Sequence, residues 1–80
     1  MDTLTRFRQM LAKLLRIPLA EVAPDMRIVD DLGAKSVDII EIAMWVEDEF
    51  DLEMDDPLIE LNERTTVREL AENIDRCRRN

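Results

Sequence analysis

Residues 30–38 read Asp30-Asp31-Leu32-Gly33-Ala34-Lys35-Ser36-Val37-Asp38, and Ser36 falls where an irregular stretch gives way to a periodic one. Two kinds of chemistry suit a hydroxyl at such a junction. As an N-cap, its oxygen would accept a hydrogen bond from an N–H of the first helical turn. As an attachment point, it would hold a phosphoryl group where free N–H groups and the helix dipole favour anionic oxygen. Gly33 lets the chain turn sharply just ahead of it. Catalysis has less to work with. The sequence contains no histidine, which removes the commonest general base and the commonest metal ligand. It also offers no convincing nucleophile–base pair, so an enzyme is not expected. Asp48, Asp51, Asp55 and Asp56 hint at calcium, but the glycine and the terminal glutamate spacing of an EF-hand are missing, and no metal site is expected. Cys77 lies between Arg76 and Arg78; that is thin ground for a reactive thiol, and a plain surface cysteine is expected.

The helix that Ser36 opens should run from Ser36 or Val37 to Phe50. At 100° per residue, Ile39, Ile42, Ala43, Val46 and Phe50 share one face. Asp38, Glu41, Trp45 and Asp48 fall opposite, with Glu47 and Glu49 near the edges and Val37, Met44 and Ile40 bordering. A solvated face is the plain reading of such a stripe. Like charges at close helical spacing repel, however, so the stripe is not there for helix stability. Trp45 is the only tryptophan. It could anchor a partner, since tryptophan is enriched at interface hot spots, or pack partly against a third helix or the preceding loop.

Other elements must position this helix. Leu4, Phe7, Leu11 and Leu14 recur at helical spacing, predicting a helix from Thr3 or Thr5, either of them a plausible N-cap, to Leu15, ended by Pro18. Arg6, Arg8, Lys13 and Arg16 make this segment basic. Residues 17–35 show no sustained period and read as a long loop, with apolar residues tucked under helices and at most a short helical turn. Asp56-Pro57 suits the start of a short third helix to about Leu61. Thr66 and Glu69 form a capping-box pattern before a last helix whose apolar face is Val67, Leu70, Ala71 and Ile74. The expected fold is all-α: an up-and-down four-helix bundle with a long first loop and a short third helix, in one domain over residues 1–80. Its interior should include Leu11, Ile28, Ile39, Ala43, Val46, Met54, Leu61, Leu70 and Ile74.

Composition bounds the partners. The 80 residues carry a formal net charge of -8, a field that disfavours nucleic acid and anionic membranes and attracts basic protein surfaces. An apolar fraction of 46% suffices for a modest core. One cysteine allows no internal disulfide. No apolar run approaches a membrane span and no signal peptide is recognisable, so a cytoplasmic monomer without membrane insertion is expected.

The run Asp31-Leu32-Gly33-Ala34-Lys35-Ser36-Val37-Asp38 resembles the modification site of acyl carrier proteins, whose pattern is Asp-Leu-Gly-Ala-Asp-Ser-Leu-Asp. The similarity continues through Glu41, Met44, Glu47-Asp48-Glu49-Phe50-Asp51 and Thr65-Thr66-Val67, nearly the whole chain in order. The resemblance implies a phosphoprotein that carries covalent 4′-phosphopantetheine on Ser36 and holds acyl thioesters for fatty acid biosynthesis or related lipid metabolism. It implies modification by a phosphopantetheinyl transferase, and delivery to synthases, reductases or acyltransferases with basic docking patches. It implies docking through the helix that Ser36 opens, with Val37, Asp38, Ile40, Glu41, Met44, Glu47 and Asp48 as candidates; Lys35 beside the site and Trp45 as an aromatic anchor are added on their own chemistry. It further implies that an acyl chain can slip between helices beside Ile39, Ala43, Val46, Met54 and Leu61. Lys35 and Val37 depart from the family's Asp and Leu, and the position of Trp45 is usually small. These departures keep open a specialised carrier for a polyketide, aminoacyl or lipid-modifying pathway. An unmodified helical adaptor is the alternative of a different class.

Overall fold

The computed structural model describes residues 2–52 and 61–78. They form three α-helices, α1 (Thr3–Leu15), α2 (Ser36–Phe50) and α3 (Val67–Arg78), with a 3-10 turn at Leu19–Glu21 inside the long first connection. No strand occurs among the described residues. The all-α expectation therefore holds. The expected short third helix lies outside the described residues, apart from its last residue, Leu61.

One apolar stripe from each helix closes the core. Phe7, Met10 and Leu11 come from α1, Ile42, Val46 and Phe50 from α2, and Val67, Leu70, Ala71 and Ile74 from α3. The face expected of α3 is buried in full. On α2 the burial is narrower than expected, for Ile39 and Ala43 at the edge of the stripe stay half-exposed. Val22, Ile28 and Ala34 are buried from the long connection, which explains its irregular apolar spacing: each residue plugs a gap between helices without sharing a face with the next. Cys77, expected at the surface, is half-buried against this core.

The helix ends follow local chemistry, with one correction to the sequence reading. The N-cap of α1 is Asp2, whose carboxylate accepts the Thr5 N–H at 2.7 Å, and neither Thr3 nor Thr5 fills that role. A carboxylate facing the positive end of the helix is the stronger acceptor, and the hydrogen bonds from Thr5 hold the Asp2 carboxyl below the ordinary range. Thr3 lies inside the helix. Its hydroxyl donates to Asp75 at 2.9 Å and accepts from Arg78 at 3.2 Å, which ties the start of α1 to the end of α3. At α3 the capping box forms as expected: the Glu69 N–H donates to the Thr66 hydroxyl at 3.1 Å, and the Thr66 N–H donates to Glu69 at 3.3 Å.

These elements rank the side chains by what they hold. Phe7→Ala removes a fully buried ring and is expected to lower the unfolding free energy by about 3–5 kcal/mol. Thr66→Ala removes one cap and should cost about 1 kcal/mol. Urea unfolding followed by circular dichroism measures both; equal losses would contradict the packing described.

Candidate functional site

Ser36 is positioned from below. The Ile28 N–H donates to the Thr65 carbonyl at 3.0 Å, and the Val67 N–H donates to the Met26 carbonyl at 2.9 Å, lashing the long connection to the head of α3. From that tie the chain turns on itself. The Leu32 N–H reaches the Arg27 carbonyl, Gly33 reaches Val29 and Ala34 reaches Ile28, at 3.0 to 3.2 Å. Gly33 has φ +75°, and a Cβ built there meets nothing within 4 Å. Glycine is needed at that position for the left-handed backbone and not for space. Ala34 then buries its methyl, and Lys35, Ser36 and Val37 emerge into solvent together.

Ser36 is the first residue inside α2, and Lys35 occupies the N-cap position. The reading of Ser36 as the N-cap is thereby corrected: its oxygen lies past the point from which a side chain folds back over the first turn. The hydroxyl has no hydrogen-bond partner among the described residues. Asp38 makes half a capping box, its carboxylate accepting the Lys35 N–H at 2.9 Å. The other half fails because a lysine side chain donates and cannot accept. The head of α2 thus lacks a side-chain acceptor for its first N–H groups. An exposed hydroxyl, free N–H groups at a helix head and an ammonium on the adjacent residue together suit a phosphodiester.

The other candidate residues divide by location. Val37, Ile40 and Met44 are 58%, 61% and 59% exposed, an apolar stripe running down α2 from the Ser36 end. Lys35, Glu41, Glu47 and Asp48 are exposed around it, and Asp38 is half-buried. Trp45, 40% exposed, does not extend that stripe. It lines a depression shared with Arg6, Gln9, Met10, Lys13 and Glu49, beside α1; the expected alternative, packing against a third helix, falls on residues outside those described. Of the suggested acyl-chain contacts, Val46 is completely buried, Ile39, Ala43 and Leu61 are half-exposed, and Met54 lies outside the described residues. No group of three or more potential metal ligands occurs among the described residues.

Sequence reasoning missed two features. Ser36 is the only serine in the chain, a fact open to simple counting. Phe50 has two cations over its ring, the Arg6 guanidinium 4.8 Å and that of Arg78 5.4 Å from the centroid. Arg6 also pairs with Glu49 at 2.7 Å. No spacing rule links residues so far apart in sequence.

Comparison with known proteins identifies the family. The family model described as the phosphopantetheine attachment site matches residues 5–74. The chain is 39% identical over 56 residues to an acyl carrier protein of Solidesulfovibrio magneticus, covering 70% of this chain and 72% of that protein. It is 41% identical over 51 residues to an acyl carrier protein of Clostridium acetobutylicum, covering 64% of this chain and 66% of that one. The chain therefore belongs to the acyl carrier protein family, carriers and not catalysts, whose covalent cofactor is phosphopantetheine.

Lys35→Asp supplies the acceptor that the head of α2 lacks. It is expected to raise the unfolding free energy of the unmodified protein by about 1 kcal/mol in chemical denaturation. No gain would mean that the first turn is already satisfied.

Proposed function

We propose that Ser36 carries the phosphopantetheine, and that the protein delivers acyl groups to separate enzymes by docking its α2 face on them. One observation carries the assignment: the chain's only serine is an exposed first residue of a helix, at the matching place in the family's motif. In the modification step the Ser36 Oγ–phosphorus bond forms and the pyrophosphate P–O bond of coenzyme A breaks. Adenosine bisphosphate leaves, and the serine proton passes to the phosphopantetheinyl transferase. Once attached, the group supplies a thiol that holds acyl chains as thioesters. The residues of this chain do the rest. The head of α2 offers N–H groups to the phosphate, and Lys35 offers a positive charge beside it. Tethering raises the local concentration of the thioester at whatever active site the carrier has docked on.

Glu41, Glu47 and Asp48 would steer that docking onto basic patches of synthases, reductases or acyltransferases, while Val37, Ile40 and Met44 supply the apolar contact. Charged rims of this kind speed encounter more than they tighten binding, which suits a carrier that must leave again. Ile39 and Ala43, half-exposed at the edge of the core, would form the entrance for an acyl chain, and Leu61 and Met54 are further expected contacts. Val46 is reached only if the core opens. We read residues 57–61 as a short additional helix that completes a four-helix bundle in one domain, and the protein as a cytoplasmic monomer. No helix among the described residues is long and apolar enough to cross a membrane. Fatty acid synthesis is the general pathway reading. Lys35 reverses a charge next to the modified residue, and this favours a specialised carrier with its own transferase or synthase contacts.

Incubation with coenzyme A and a broad-specificity transferase should add the mass of one phosphopantetheine, and Ser36→Ala should abolish the gain. No adduct with any transferase tried would favour the unmodified adaptor. Glu41→Lys combined with Asp48→Lys is expected to weaken binding to a partner synthase severalfold, and added salt should do the same to the wild type. Binding unmoved by either would remove electrostatic steering from the account.

A further inference from the structure

The charges of α1 and α2 are segregated by sign. From Thr3 to Leu15, α1 contains no acidic residue, and from Ser36 to Phe50, α2 contains no basic one. Most α1 cations already have work inside the fold. Arg6 is held by Glu49 and lies over Phe50. Arg8 donates to the carbonyls of Val22 at 2.6 Å and Leu19 at 3.2 Å. Lys13 is different: it is exposed and makes no ion pair with any described residue. It stands between two open depressions, about 310 Å³ beside Trp45 and about 400 Å³ beside Leu19, which share Gln9 and Lys13 as a common wall. The result is a shallow strip across α1 with an exposed large apolar residue at each end, Trp45 at 40% and Leu19 at 41%, and an unpaired cation at its middle.

We infer that this strip is a second docking surface, separate from the α2 stripe, and that it receives an acidic protein segment bearing an aliphatic or aromatic anchor. The sign follows from Lys13, because a basic segment would leave that ammonium repelled and desolvated. The anchor follows from Trp45, whose ring lies half-open beside Met10 and the Lys13 stem; an aromatic side chain so presented is the usual centre of an interface. Nucleic acid is disfavoured by the net charge of -8, whereas a short acidic segment meets a wall in which Arg6 already pairs with Glu49 and the Lys13 charge is left over. The strip is also too long and open for a small acid alone. The strip takes only Trp45 and Glu49 from α2, and neither depression is lined by Ser36, Val37, Ile40 or Met44, so the carrier could be retained by one protein while another works on its cargo.

The probe is a synthetic amphipathic helical peptide with Leu and Phe on one face and Glu on the other. Its control carries Lys in place of Glu. The expected result is that the acidic peptide shifts the Trp45 emission and the amide resonances of Gln9, Ala12 and Lys13 while sparing Ile40 and Met44. Lys13→Glu, a change at an exposed residue that leaves the fold intact, should weaken this binding roughly tenfold. Ser36→Ala should bind as the wild type does. Three results would overturn the inference: perturbation confined to α2, equal binding by the Lys13→Glu variant, or self-association of the protein alone that Lys13→Glu abolishes, which would make a second copy the occupant.

Discussion

The tie between residues 26–28 and the head of α3 decides where everything else in the site can be. Two backbone hydrogen bonds, Ile28 to Thr65 and Val67 to Met26, join segments that are far apart in sequence. Ile28, completely buried, fixes that junction to the core. Ala34 is then pulled back onto Ile28, and the next residues have only one direction to go, outward. The exposure of Ser36 therefore follows from burial a few residues earlier. A loop without that anchor would let the head of α2 fray, and the modifying enzyme would meet a hydroxyl in no fixed orientation.

The α2 helix gives only a narrow stripe to the core. Only Ile42, Val46 and Phe50 are committed to the core among its apolar residues, and Val37, Ile40 and Met44 are left in water. Exposing aliphatic side chains forfeits burial energy that a purely structural helix would collect. The like charges around them add repulsion. Both costs fit the proposal that partners cover this outer face transiently. The absence of a side-chain acceptor at its head is a third local cost, and a phosphodiester at Ser36 would offset it.

Much of this was legible in the sequence. The bounds of α1 and α2, the burial of all four apolar residues of α3 and the capping box at Thr66 follow from periodicity and cap chemistry, which are local. Ser36 is singled out by its motif and its position before an acidic helix, and the structure shows it exposed at the head of α2. What escaped was set by contacts between distant residues. Nothing local says that Asp2 outcompetes Thr3 as a cap once Thr3 is drawn to Asp75 and Arg78 on α3. Nothing local says that Trp45 turns toward α1, because the helical wheel gives its angle but not which neighbour occupies that side. The N-cap assignment of Ser36 failed by one residue, since serine is a common cap and lysine a rare one, and the sequence alone does not reveal that the helix begins without a cap.

The central claim is that this chain acts through a group esterified to Ser36, and fragmentation mass spectrometry of the protein isolated from its own cells tests it most directly. The peptide containing Ser36 should carry phosphopantetheine, free or acylated, and should release the pantetheine portion on fragmentation. Unmodified Ser36 throughout the cellular pool, or the group found on any other residue, would contradict the account.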